Sequence, residues 1–153
     1  MAREGDLAVA SLVRAFFENA GRLAREHHCG LMKFIGDGFI AAFDHADQAL
    51  AFASAVQNIT KSDAGISIYQ IRLRFSLHFG DVLCIETSYG RDILGHDINT
   101  AARLNDLAAP GQLVISHAAL QRLPTKQQVG VGPSETVNLK QVGAFQIHRV
   151  DLA

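Results

Sequence analysis

Residues 31–43 read L-M-K-F-I-G-D-G-F-I-A-A-F, two short apolar runs on either side of Gly36-Asp37-Gly38. Glycines flanking an aspartate supply the positive φ angles of a tight reversal, so the stretch is confined to strand, turn, strand. Lys33 and Asp37 are its only charges. A lysine on a strand ordinarily solubilises an edge, and an aspartate in a turn ordinarily caps backbone, so neither signals chemistry by itself.

A second segment, residues 91–104, reads R-D-I-L-G-H-D-I-N-T-A-A-R-L. It sets Asp92 ahead of a helix start at Gly95 and His96, and it spaces Asn99 and Arg103 by about one helical turn, which puts both on one face. An amide and a guanidinium so arranged form a fork of donors suited to phosphate oxygens; the alternative is an ordinary solvated helix face.

Taken together these segments resemble the catalytic domain of the class III adenylyl and guanylyl cyclases. Lys33-Phe34-Ile35-Gly36-Asp37 is similar to the family's K-x-x-G-D hairpin, and residues 92–104 to its D-x-x-G-x-x-V-N-x-A-A-R-L helix. Leu77-His78-Phe79-Gly80-Asp81-Val82 resembles a strand ending in I-H-x-G-x-V, and Ala109-Pro110-Gly111-Gln112 opens a further matching stretch. Val137 to Gly143 looks like the family's L-K-G hairpin, with Gln141 where a glycine is usual.

The resemblance implies an α+β, ferredoxin-like cyclase fold, an antiparallel sheet with helices packed on it. It implies a role for each motif residue. Lys33 and Asp92 would read the purine edge: adenine offers an acceptor at N1 and a donor at N6, which a lysine and a carboxylate complement, whereas guanine offers the reverse. Asn99 would orient the ribose, Arg103 would meet charge on the α-phosphate, and Lys140 would hold the terminal phosphates. Asp37 would be the metal carboxylate for Mg2+ or Mn2+. The implied reaction converts ATP to 3′,5′-cyclic AMP and pyrophosphate, in a homodimer whose sites lie between subunits. No segment like the family's F-x-D-I-x-G-F-T, which carries a second metal-binding aspartate on the first strand, precedes the first helix. The expectation is therefore a single cyclase homology domain over residues 1–153 that lacks its N-terminal strand and turns over poorly. The alternative is a catalytically silent nucleotide-binding or dimerising module.

With 153 residues, 48% of them hydrophobic, the chain is long enough for one domain with a real core. A formal charge of −1 gives no electrostatic reason to expect nucleic acid as a partner. Cys29 and Cys84 make no disulfide framework. No apolar stretch approaches the roughly 20 residues of a membrane span, which predicts no membrane contact and a cytoplasmic location.

Periodicity supplies the remaining elements. Asp6 precedes the apolar series Val9, Leu12, Val13, Phe16, Ala20, Leu23, predicting a helix over 6–28 capped by Asp6 and closed near Gly30. His27 and His28 fit that helix's C-terminal dipole better than a metal, since adjacent residues diverge on a helix. A second helix is expected over 45–59 behind Asp44, then a polar loop over 61–67 and an alternating strand over 69–79. Further expectations are a strand over 82–86, a loop over 87–91, a strand over 112–115, a helix over 117–123, and closing strands over 136–140 and 144–150.

Overall fold

The computed structural model describes residues 4–152. They form two compact units, one comprising residues up to Asp44 with Gln48–Arg72, the other His45–Asp47 with everything from Leu73 onward.

In the first unit, helix α1 (Glu4–Glu26) buries Phe16, Ala20, Leu23 and Ala24, while Leu7 and Val9 near its start stay exposed. Asp6 is therefore not the N-cap expected from the sequence. It lies inside the first turn with Glu4, where a carboxylate still complements the helix dipole. The helix ends sooner than expected, without using Gly30. His28 takes the left-handed conformation at φ 62°. Its N–H bonds Arg25 O at 3.2 Å, and Cys29 N–H reaches back to Ala24 O at 2.8 Å. That double closure is a Schellman motif, with histidine in the place glycine usually takes.

Strands β1 (Leu31–Ile35) and β2 (Gly38–Ala42) form the expected hairpin, antiparallel with Lys33 opposite Ile40. Gly36, at φ 58°, and Asp37 make its two-residue turn. Helix α2 (Ala46–Ser62) starts one residue later and runs three residues farther than expected. It buries Phe52, Ala53, Val56 and Ile59. Aromatic contacts tie these pieces together: Phe17 stacks on Phe34 with centroids 4.3 Å apart, and Phe52 meets Phe39 at 5.8 Å and Phe43 at 5.3 Å. The segment expected as a polar loop contains a short helix, α3 (Ala64–Ser67), because Asp63 accepts the N–H groups of Gly65 and Ile66 and nucleates it.

The second unit holds a four-stranded sheet in the order β3 (Phe75–Leu77), β6 (Gln112–Ser116), β8 (Gly143–Asp151), β7 (Glu135–Leu139). The β6–β8 and β7–β8 pairs are antiparallel, but β3 runs parallel to β6. The fold class is α+β as the sequence implied, with a mixed rather than purely antiparallel sheet. Only three residues of the long strand expected over 69–79 pair, since β3 meets β6 solely at Phe75–Leu113, Ser76–Val114 and Leu77–Ile115. A separate hairpin, β4 (Leu83–Thr87) with β5 (Gly90–Leu94), occupies part of the expected loop, so Asp92 stands on a strand opposite Ile85. Helix α4 (His96–Asp106) follows Gly95 directly. It packs on the sheet through Leu104, with Ala108, Val114, Leu139 and Ile147 completing the cluster. Helix α5 (His117–Leu120) is one turn long, shorter than expected, and is capped by Ser116.

Candidate functional site

The second unit carries Asp92, Asn99, Arg103 and Lys140; the first carries Lys33 and Asp37. Each group is set by its own local structure.

Helix α4 begins abruptly because its approach is fixed from two sides. Gly95 holds φ 149°, and a Cβ there would press within 3.2 Å of Asp81 O. Asp97, in the first turn, accepts the Asp81 N–H at 2.8 Å through Oδ2 and faces His78 Nε2 at 2.9 Å through Oδ1. A Cβ at Gly80 would overlap the Asp97 carboxylate, so only glycine lets the chain turn this close. His78 Nδ1 lies 2.9 Å from Ser116 Oγ, which accepts Ala119 N–H at 3.2 Å. The His78 hydrogen bond, helped by the Asp81 N–H, holds the Asp97 carboxyl below the usual carboxylate range against the opposing effect of burial. Ser76 Oγ adds a bond to Ala101 O at 2.7 Å, so Ser76 of β3 and His78 just beyond it hold α4 at successive turns.

A serine, a histidine and an aspartate in one string invite comparison with a hydrolase triad. Ser116 has no exposed surface, however, and is already the N-cap of α5. No substrate carbonyl can reach it. The string is a brace for the start of α4, and its members were not assigned a role from sequence. His78 lay in a quoted motif, but its partners are 19 and 38 residues away along the chain.

What the brace presents is the face bearing Asn99 and, one turn on, Arg103. Asn99 is exposed and Arg103 half-buried. Arg103 Nη2 donates to Gln141 Oε1 at 2.9 Å, which brings the guanidinium to the β7–β8 turn beside exposed Lys140. Lys140 precedes Gln141 in the chain, so the backbone that bears it adjoins the residue that anchors Arg103. The far end of α4 is clamped as well: Arg149 Nη1 donates to Leu107 O at 2.8 Å and Gln112 Oε1 at 2.9 Å, while its Nε meets Glu135 at 2.7 Å.

Asp92 is half-buried, and its Oδ1 accepts the Ile93 N–H at 2.8 Å. Lys33 is half-buried at mid-strand on β1, and Asp37 stands exposed at the hairpin tip. Among the described residues no three His, Cys, Asp or Glu side chains group to hold a metal. His117 Nδ1 and His148 Nε2 do meet at 3.0 Å, but as a hydrogen-bonded pair whose second member also donates to Gly132 O. A lone carboxylate at Asp37 fits a magnesium or manganese ion that arrives on phosphate oxygens, since such ions commonly take one or two carboxylates and complete their shell with phosphate and water.

Comparison with known proteins gives the same outline. The family model for the adenylate and guanylate cyclase catalytic domain matches residues 1–150. An uncharacterised protein of Mycobacterium tuberculosis is 36% identical over 116 residues, covering 71% of this chain and 42% of its own length. The chain thus spans less than half the length of the curated relatives it matches. Among solved structures, the catalytic core of a rhodopsin-guanylyl cyclase with converted specificity, in complex with ATPαS, superposes with TM-score 0.82 at 22% identity, covering 97% of this chain and 84% of that one. An adenylyl cyclase from P. aeruginosa superposes with TM-score 0.73 at 18% identity, covering 98% and 84%. At such identities the likeness is one of fold. No helix among the described residues is long and apolar enough to cross a membrane.

Proposed function

Because the chain belongs to the adenylate and guanylate cyclase catalytic domain family, we propose that it is an adenylyl cyclase domain, closing ATP to 3′,5′-cyclic AMP with release of pyrophosphate. The observation that carries the reading is the contact of Arg103 with Gln141, which ties the helix face that also displays Asn99 to the turn that bears Lys140. Phosphate oxygens are met well by a guanidinium and an ammonium.

The ribose 3′ oxygen attacks the α-phosphorus, a P–O bond forms, the bond to pyrophosphate breaks, and the hydroxyl proton leaves to solvent. Little covalent help is required from protein; alignment and charge neutralisation supply most of the acceleration. Asn99 orients the ribose. Arg103 meets the charge that develops on the α-phosphate, and Lys140 holds the terminal phosphates. Asp37 is the carboxylate that would hold Mg2+ or Mn2+, which when bound neutralises phosphate charge. Lys33 and Asp92 read adenine, donor to N1 and acceptor from N6.

Groups of both kinds, metal carboxylate and nucleotide contacts, occur on this one chain. A head-to-tail homodimer with two equivalent interfacial sites follows, one copy supplying Asp37 and the other the purine, ribose and phosphate contacts. The family model spans both units of the chain, which supports reading them as one cyclase domain. ATP as the substrate puts it in the cytoplasm.

Calorimetric titration tests the nucleotide assignment. The protein should bind ATP more tightly than GTP, and the double substitution Lys33→Glu, Asp92→Cys should reverse that order by about tenfold or more, since each mismatched polar contact costs about 1–3 kcal/mol. A preference that does not move would sink the adenine assignment. The second reading, a silent nucleotide-binding module, is favoured by Asp37 standing outside any group of three His, Cys, Asp or Glu side chains among the described residues. Tight ATP binding with no cyclic AMP under either Mg2+ or Mn2+ identifies it.

A further inference from the structure

The turn that joins β7 to β8 contains a residue in a conformation its side chain disfavours. Val142 N–H bonds Leu139 O at 3.0 Å, so Lys140 and Gln141 are the two central residues of a β-turn. Gln141 has φ 66°, whereas Lys140 is not among the residues with positive φ. This is the type II pattern, whose second central position belongs by preference to glycine or asparagine. A glutamine there is unfavourable, and residues held in such conformations persist where surrounding structure overrides the local preference. The overriding contact is visible: Gln141 Oε1 accepts from Arg103 Nη2 at 2.9 Å, across 38 residues of chain.

Arginine carries five N–H donors in a planar fork, and its value to a phosphate depends on which of them face the ligand. Without a second anchor, a guanidinium on a long stem turns about its last bonds. We propose that Gln141 is a positioning residue for Arg103: its side-chain carbonyl holds one edge of the guanidinium and sets the direction in which the remaining donors meet a nucleotide phosphate. The amide is suited to this task because it is neutral. It takes one hydrogen while leaving the positive charge intact, whereas a carboxylate at the same place would neutralise the cation and repel the phosphate. The inference rests on the reading above in which Arg103 contacts phosphate.

The test has two readouts. Nitrogen-15 NMR of the Arg103 side chain reports rotation about its guanidinium bond with or without nucleotide, and calorimetry reports affinity for ATP and for adenosine, which has no phosphate. Gln141→Gly should speed the rotation, weaken ATP several-fold and leave adenosine unchanged. That variant also relieves the turn, so its melting temperature should not fall, which separates lost positioning from lost folding. Gln141→Glu should keep the rotation slow yet weaken ATP about tenfold or more, because the anchor remains while the charge is cancelled. Unchanged rotation in Gln141→Gly overturns the proposal, as does unchanged ATP affinity with faster rotation. If rotation responds as expected but the wild-type protein binds no ATP, the anchor stands and the phosphate role of Arg103 is what fails.

Discussion

His78 Nε2 lies 2.9 Å from Asp97 Oδ1, joining the end of β3 to the first turn of α4. That contact fixes where the helix begins, and hence where Asn99 and Arg103 stand one and two turns later. Its strength depends on Asp97 being ionised.

Stability should therefore respond to acid. The folded-state pKa of Asp97 is lowered, principally by His78, relative to an unfolded aspartate at about 3.9. A lowered carboxyl contributes stability above the unfolded value and loses it as pH falls through the folded one. The melting-temperature difference between wild type and Asp97→Asn should be widest near about pH 6 and shrink below about pH 4. A difference that stays constant down to about pH 2 would exclude this linkage.

Gly80→Ala should be among the more damaging single-methyl additions in the chain. The new Cβ would overlap the Asp97 carboxylate, forcing apart the turn and the helix start. Overpacking of this kind costs about 1–3 kcal/mol, measurable as a lowered urea midpoint. In the Asp97→Gly background the penalty should largely vanish, whereas Asp97→Ala should relieve it only in part, because its Cβ remains in the way.

On the proposed function, Arg103→Ala should act mainly on turnover, with a smaller loss of stability from the freed Gln141 turn. Removing a donor aimed at developing charge typically costs about 2.7–4 kcal/mol of barrier, so kcat for cyclic AMP formation should fall by roughly a hundredfold to a thousandfold. An unaltered kcat with a raised KM would assign Arg103 to ground-state binding alone.

The two cysteines should label at different rates. Cys84 is exposed on β4, whereas Cys29 is half-buried with its thiol donating to Leu31 O at 3.1 Å, and burial pushes its pKa up. A thiol-exchange reagent at neutral pH should show one fast and one slow phase, the fast one abolished by Cys84→Ser. Two fast phases would mean that the Cys29 pocket opens readily.

Much of this organisation was legible because it is local. Gly36-Asp37 between apolar runs defines the first hairpin, and the spacing of Asn99 and Arg103 defines a shared helix face. The failures have a common physical origin in partners distant along the chain. Alternation over residues 69–79 suggested a long strand, yet pairing with β6 stops at Leu77 and begins only at Phe75. Polar residues 87–91 suggested a loop, yet Ser88-Tyr89 is a two-residue turn that lets Gly90–Leu94 pair with β4. Asp6 was displaced from its expected cap because α1 includes Glu4. Neither the brace of His78, Asp97 and Ser116 nor the Arg103–Gln141 contact could be inferred from spacing, since each bridges segments that meet only after the sheet assembles.

The β1–β2 hairpin closes through only Gly36 and Asp37, with Ile35 facing Gly38 and Lys33 facing Ile40. Strand residues alternate between two surfaces, so an insertion at the tip that slipped the pairing by one, rather than lengthening the loop, would turn the partner strand's side chains over. Lys33 and Asp37 are held at an invariable spacing by that closure. Gly36 closes that tip at φ 58°, a conformation other side chains adopt only with strain, so the reversal and the carboxylate beside it depend on the absence of a side chain there.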